Sequence, residues 1–128
     1  SCVAISVSIS TKNIGVNSVC NHSEYVKLEI FIPETHLPVL RTALQSVDAG
    51  HMGDYDSCFA YSRVTGTWRP LEGAHPYEGT VGEICEAPEL KVELCVAAQR
   101  MEETIAVIRA VHPYEMPAIY ALPLIGGI

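Results

Sequence analysis

The chain has 128 residues, 48% of them apolar, with fifteen acidic against eight basic side chains and a formal charge of -7. That length and apolar content suit one domain with a real core and exclude a disordered tail. The acidic balance excludes the clustered Lys and Arg that nucleic acid or an anionic membrane surface demands, and no run approaches the roughly 20 apolar residues of a membrane helix.

The first residues differ from the rest. Ser1–Ser10 alternates, with Val3, Ile5, Val7 and Ile9 facing one way, which is strand periodicity. Thr11–Ser23 is polar and rich in turn formers such as Asn13, Gly15 and Asn17. The basic start and solid apolar stretch of a secretory signal are both missing. Residues 1–24 therefore read as an extension that adds a strand, and 25–128 as the domain.

From Tyr25 the pattern becomes regular. Val26, Leu28, Ile30 and Ile32 alternate with polar residues and stop at Pro33. Thr35 is placed to cap a helix whose first turn tolerates Pro38 and whose stripe is Leu37, Leu40, Leu44 and Val47, with Gly50 as the stop. After a loop, Cys58–Val64 reads as a strand, Thr65 and Gly66 as a turn, and Trp68 as the start of a return arm. Pro70–Gly79 is loop-like. Leu90–Ala97 alternates again, and Met101, Ile105 and Ile108 stripe a second helix. Glu102 and Glu103 in its first turn and Arg109 in its last suit the helix dipole, and Pro113 ends it. Ile119–Leu124 closes the domain as a strand. The order is that of an α+β, ferredoxin-like (split β-α-β) fold, an antiparallel sheet with two helices on one face. The other face needs cover from a partner or an added segment.

The five cysteines, Cys2, Cys20, Cys58, Cys85 and Cys95, are odd in number and dispersed, with neither a zinc spacing nor a dense disulfide framework. They read as reduced thiols, which places the protein in a cytoplasm. The most informative feature is a repeat. His-Pro-Tyr-Glu occurs at His75–Glu78 and again at His112–Glu115, grouping an imidazole, a phenol and a carboxylate around a stiff proline. The flanks Glu72–Ala74 and Arg109–Val111 share little, so the repeat is not read as an internal duplication.

Three ordered segments carry a family resemblance: Gly50-His-Met-Gly-Asp-Tyr-Asp-Ser-Cys-Phe59, Gly66-Thr-Trp-Arg-Pro-Leu-Glu-Gly73, and Val111-His-Pro-Tyr-Glu-Met-Pro117. Together they resemble the domain inserted in the YqfO-type hexameric dinuclear-metal proteins, relatives of the NGG-interacting factors. That domain is itself similar to CutA, the divalent-cation-tolerance protein, and to PII signal proteins. The last segment, with Ala121-Leu-Pro and Gly126, also resembles the CutA ending. The resemblance covers about Tyr25 to Leu124 and implies a CutA-like fold and a homotrimer. It also implies that the dinuclear metal site of the larger proteins lies in their other domain, so their hydrolase activity does not carry over. The chain departs from the resemblance at His75, a position that the inserted domains usually fill with asparagine.

The candidate site follows from the repeat. If the loop after the second strand folds over the end of the second helix, His75, Glu78, His112 and Glu115 converge as two imidazoles and two carboxylates, a set that suits a divalent metal ion. His112 alternatively serves structure, by satisfying carbonyls at the helix end. His75 is otherwise an ordinary loop histidine. Tyr77, Tyr114, Asp54 and Cys58 join the candidate ligand-binding set, although Asp54 and Asp56 read equally as turn formers in a solvated loop. Trp68, with Phe59 and Tyr61, reads as packing for the hairpin. No nucleophile elbow or phosphate-binding glycine loop is present, so catalysis has little support. The expected function is a non-enzymatic, oligomeric binding or regulatory module with a metal ion or small molecule near the two tetrapeptides. The alternatives are a purely structural oligomerisation domain with a protein partner, and a small metal-dependent hydrolase.

Overall fold

The computed structural model describes residues 24–126, and the strand expected at Ser1–Ser10 lies outside them. Within that span β1 (Tyr25–Ile32) leads through a 3-10 turn (Glu34–His36) into α1 (Leu37–Ser46). β2 (Ala60–Trp68) and β3 (Cys85–Ala97) follow, then a second 3-10 turn (Ala98–Arg100), α2 (Met101–Val111) and β4 (Ile119–Pro123). The strands form one antiparallel sheet in the order β2-β3-β1-β4, the ferredoxin-like arrangement expected from the sequence.

The core lies between one sheet face and the two helices. Val26, Leu28, Ile30 and Ile32 of β1 and Leu90, Val92, Leu94 and Val96 of β3 are buried against Leu40, Leu44, Met101 and Ile108. The period-2 and period-3.6 stripes in the sequence are these contacts. The opposite face carries Lys27, Glu29, Lys91 and Glu93 in a mesh of ion pairs beside Phe31, Tyr120 and Leu122.

Two local expectations are corrected. Thr35 does not cap α1. Its hydroxyl meets the ring of His36 at 3.0 Å, and the 3-10 turn before Leu37 supplies the start. Thr65 and Gly66 are not a turn. They lie inside β2, which continues to Trp68 and pairs in unbroken register with β3, from Ala60 opposite Glu93 to Trp68 opposite Cys85. The strand tolerates Gly66 because an acidic side chain occupies the space above it.

That register positions the site. β1 reaches only to Ile32 opposite Leu90, so Cys85–Glu89 and their β2 partners overhang as a two-stranded ribbon. In β3 the buried parity changes at this point. Ala87 and Glu89 are buried on one face, and from Leu90 onward every second residue is buried on the other. The helices cover the second face, so something else must cover the first.

Candidate functional site

The two tetrapeptides supply that cover. The indole Nε1 of Trp68 donates to the carbonyl of Glu78 at 3.0 Å, which folds the loop after β2 back over the end of its own strand. The backbone N–H of His75 donates to the Glu115 carboxylate at 2.8 Å. Tyr77 and Tyr114 bring their rings to 5.8 Å, and Trp68 lies 5.7 Å from Tyr114. The repeats therefore meet in space, through a backbone–carboxylate bond and a row of aromatic rings.

Below the rings is a buried polar pair. The Tyr114 hydroxyl donates to the Glu89 carboxylate at 2.8 Å. Glu89 is only 6% exposed and forms no ion pair among the described residues. A Cβ at Gly66 would overlap the Glu89 carboxylate, so glycine lets this side chain lie flat across the neighbouring strand. Burial, above all, pushes the Tyr114 phenol well above its ordinary value. The hydrogen bond to Glu89 and the nearby charges of Glu89 and Glu78 act in the same direction. Tyr114 therefore stays protonated and serves as a fixed donor.

These groups line a pocket of about 520 Å³. Its aromatic walls are Phe31, Trp68, Tyr77, Tyr114 and Tyr120, and its acidic groups are Glu78, Glu89 and Glu115. Arg69 is the one cationic side chain among the lining residues. The size and mixed lining match a site for a small ligand.

His112 takes the structural place considered for it, with a different partner. Its Nε2 lies 2.7 Å from the carbonyl of Phe31 on β1, not from the last carbonyls of α2. Its Nδ1 accepts the Tyr114 backbone N–H at 3.2 Å. These partners select the neutral ring with its proton on Nε2. Burial lowers the His112 pKa from its ordinary value, outweighing the Phe31 carbonyl, and nearby His36 lowers it further.

Both nitrogens of His112 are thus occupied, and neither is available to a metal without breaking a bond to the fold. Among the described residues no three His, Cys, Asp or Glu side chains are grouped to hold a metal ion. Within one chain, the set His75, Glu78, His112 and Glu115 does not fit a cation site. Asp54 and Cys58 are also separated from the pocket. They sit in the loop before β2, whereas the tetrapeptide loop follows its far end, about 25 Å away at the usual rise per strand residue. There Cys58 Sγ contacts the Asp56 carbonyl at 3.6 Å, and His51 bridges Asp48 and the Gly53 carbonyl.

Three contributors escaped the sequence reading. Trp68, which local pattern places in hairpin packing, lines the pocket, as do Glu89 and Tyr120. A signal for Glu89 was present: an isolated glycine within a strand marks a close approach, and here Gly66 marks the seat of Glu89.

Comparison with known proteins agrees with this architecture. Residues 71–128 match the family model described as CutA1 divalent ion tolerance protein. A Halalkalibacterium halodurans protein named GTP cyclohydrolase 1 type 2 homolog is 36% identical over 116 residues, which is 91% of this chain but 31% of that protein. The chain thus spans about a third of the length of the curated relatives it matches. Among solved structures, a Bacillus cereus protein related to NIF3 is similar at 33% identity and a TM-score of 0.69, covering 80% of this chain and 26% of that one. CutA1 from Shewanella sp. SIB1 shares the fold at a TM-score of 0.62 and 19% identity, over 82% of this chain and 85% of its own.

Proposed function

The chain is a CutA-like domain, similar in sequence to a segment of NIF3-related proteins, and from that premise we propose that it is a non-catalytic, oligomeric ligand-binding module. The binding site is the pocket under the two His-Pro-Tyr-Glu segments. The observation that carries this reading is the convergence of Tyr77, Tyr114 and Trp68 over the buried Glu89. A fold needs only one apolar lid over an overhanging ribbon. A buried carboxylate beside an open space of this size is a costly way to provide one. The cyclohydrolase in the relatives' name is not carried to this chain, which spans about a third of their length.

A divalent cation is the second ligand class for the same pocket. The matched family is named for divalent ion tolerance, and Glu78, Glu89 and Glu115 are its acidic lining residues. Since the described residues group no three ligands, a cation in this pocket would take a further donor from outside them, such as a side chain of a neighbouring subunit. Homotrimeric assembly is part of the proposal. The helix-free face exposes Tyr120 and Leu122, and the outer edges of β2 and β4 are unpaired among the described residues.

The chain contains one tryptophan, Trp68, and it lines the pocket, so its fluorescence reports binding directly. A titration panel of divalent cations, organic cations, organic anions and neutral aromatics should give at least one saturable response that Tyr77→Leu weakens. A panel in which nothing moves Trp68 emission, with the wild-type fold intact, would remove the binding function.

A further inference from the structure

The pocket also indicates what kind of ligand it takes. This step rests on the proposed binding function and goes further by assigning a charge. Five aromatic rings and three carboxylates line one space, against a single guanidinium, Arg69. Arg69 is exposed and forms no ion pair with any of the three carboxylates. Glu89 is more than nine-tenths buried, with one oxygen held by the Tyr114 hydroxyl. Elsewhere in the molecule, the half-buried carboxylates of Glu29 and Glu93 are matched by Lys27 and Lys91. Among the described residues Glu89 is the one buried acidic side chain, and none of them forms an ion pair with it.

A buried charge is expensive unless something compensates it. One phenol supplies a hydrogen bond but no opposite charge. Aromatic faces add in the same sense, because the ring quadrupole presents a negative face and attracts cations, most strongly when they are desolvated. Tyr77, Tyr114 and Trp68 form a contiguous wall, each neighbouring pair within 5.8 Å. An anion in this space would face three carboxylates, and a neutral ligand would leave Glu89 uncompensated.

We propose that the pocket binds a small organic ammonium cation, seated against Trp68, Tyr77 and Tyr114 with its charge facing Glu89. A methylated ammonium suits the site better than a bare metal ion. It is bound through ring faces and dispersed charge, and it needs no ordered set of donor atoms. The volume of about 520 Å³ accommodates a ligand well beyond a single ion.

The test uses choline and its neutral isostere 3,3-dimethyl-1-butanol, which differ in charge and hardly in shape. Zinc chloride and 4-hydroxybenzoate are run alongside, all followed by Trp68 emission and by NMR shifts. Choline is expected to bind saturably, with the isostere at least about tenfold weaker. Glu89→Gln keeps the shape, removes the charge and is expected to weaken choline about tenfold. Tyr77→Leu, at a ring that is 54% exposed, leaves the melting temperature unchanged and also weakens choline. If the isostere binds as tightly as choline, or if only 4-hydroxybenzoate or zinc binds, the organic-ammonium assignment falls and the binding site stands. If none of the four binds to folded protein, the cation assignment falls, and the wider ligand panel decides whether the site falls with it. Tyr77→Leu provides the check that does not depend on Glu89→Gln folding.

Discussion

His112→Ala provides the deepest test of how the site is built. The imidazole donates to the Phe31 carbonyl at 2.7 Å and accepts from the Tyr114 N–H at 3.2 Å, tying the end of α2 to the end of β1 and setting the direction of the second tetrapeptide. Each bond contributes about 1 kcal/mol net, and a buried group left without its partner costs about 1–3 kcal/mol. With the space vacated by a 7% exposed ring, the loss at pH 7.5 is expected to be about 2–4 kcal/mol. The variant should also alter the pH dependence. Because burial lowers the folded-state pKa of His112, the unfolded chain binds its proton first as pH falls. Stability from the neutral ring is therefore fully present above about 6.5, the unfolded value, and is lost as pH falls toward and through the lower folded value. Alanine has no such component, so the gap between wild type and variant should narrow between pH 7.5 and pH 5. Exposed His51, raised mainly by its hydrogen bond to Asp48, is common to both proteins and cancels. Urea unfolding at several pH values, followed by circular dichroism, gives the gap directly. A gap below about 0.5 kcal/mol at pH 7.5, or one that widens in acid, would refute the neutral bridging role.

Other outcomes follow from the same geometry. His75 is held through its backbone N–H and its side chain is exposed, so His75→Ala should change stability by less than about 0.5 kcal/mol and combine additively with His112→Ala in double-mutant unfolding curves. Gly50 has φ +78°, and an added Cβ would meet the backbone carbonyl of Cys58, which cannot swing aside as a side chain would. Gly50→Ala should therefore lower thermal stability by at least about 2 kcal/mol, measured by calorimetry. Desolvation raises the thiol pKa of Cys85 and of Cys95, so iodoacetamide at pH 7.5 should modify both slowly, as read by peptide mass mapping. Light scattering should return about three times the 13.9 kDa of the chain, and a clean monomer at micromolar concentration would remove the trimer.

Much of the architecture was written in local pattern. The alternation in Val26–Ile32 and Leu90–Val96 and the stripes of α1 and α2 name the faces that the core buries, because strand and helix periods are set by backbone geometry alone. The repeat itself marked where to look, and its two copies do meet. Pairing decided the rest. Whether Thr65 and Gly66 turn or continue depends on a register with β3 that runs about twenty residues away in sequence, and no local propensity encodes it. The change of buried parity at Glu89 depends on where β1 stops along β3. The role of His112 depends on a carbonyl 81 residues earlier, which turned a candidate ligand into a bridge. Residue type and spacing thus determined which side chains were available for chemistry. The tertiary structure alone decided which of their atoms were already committed, because hydrogen bonds between distant segments follow from how the layers close and not from sequence order.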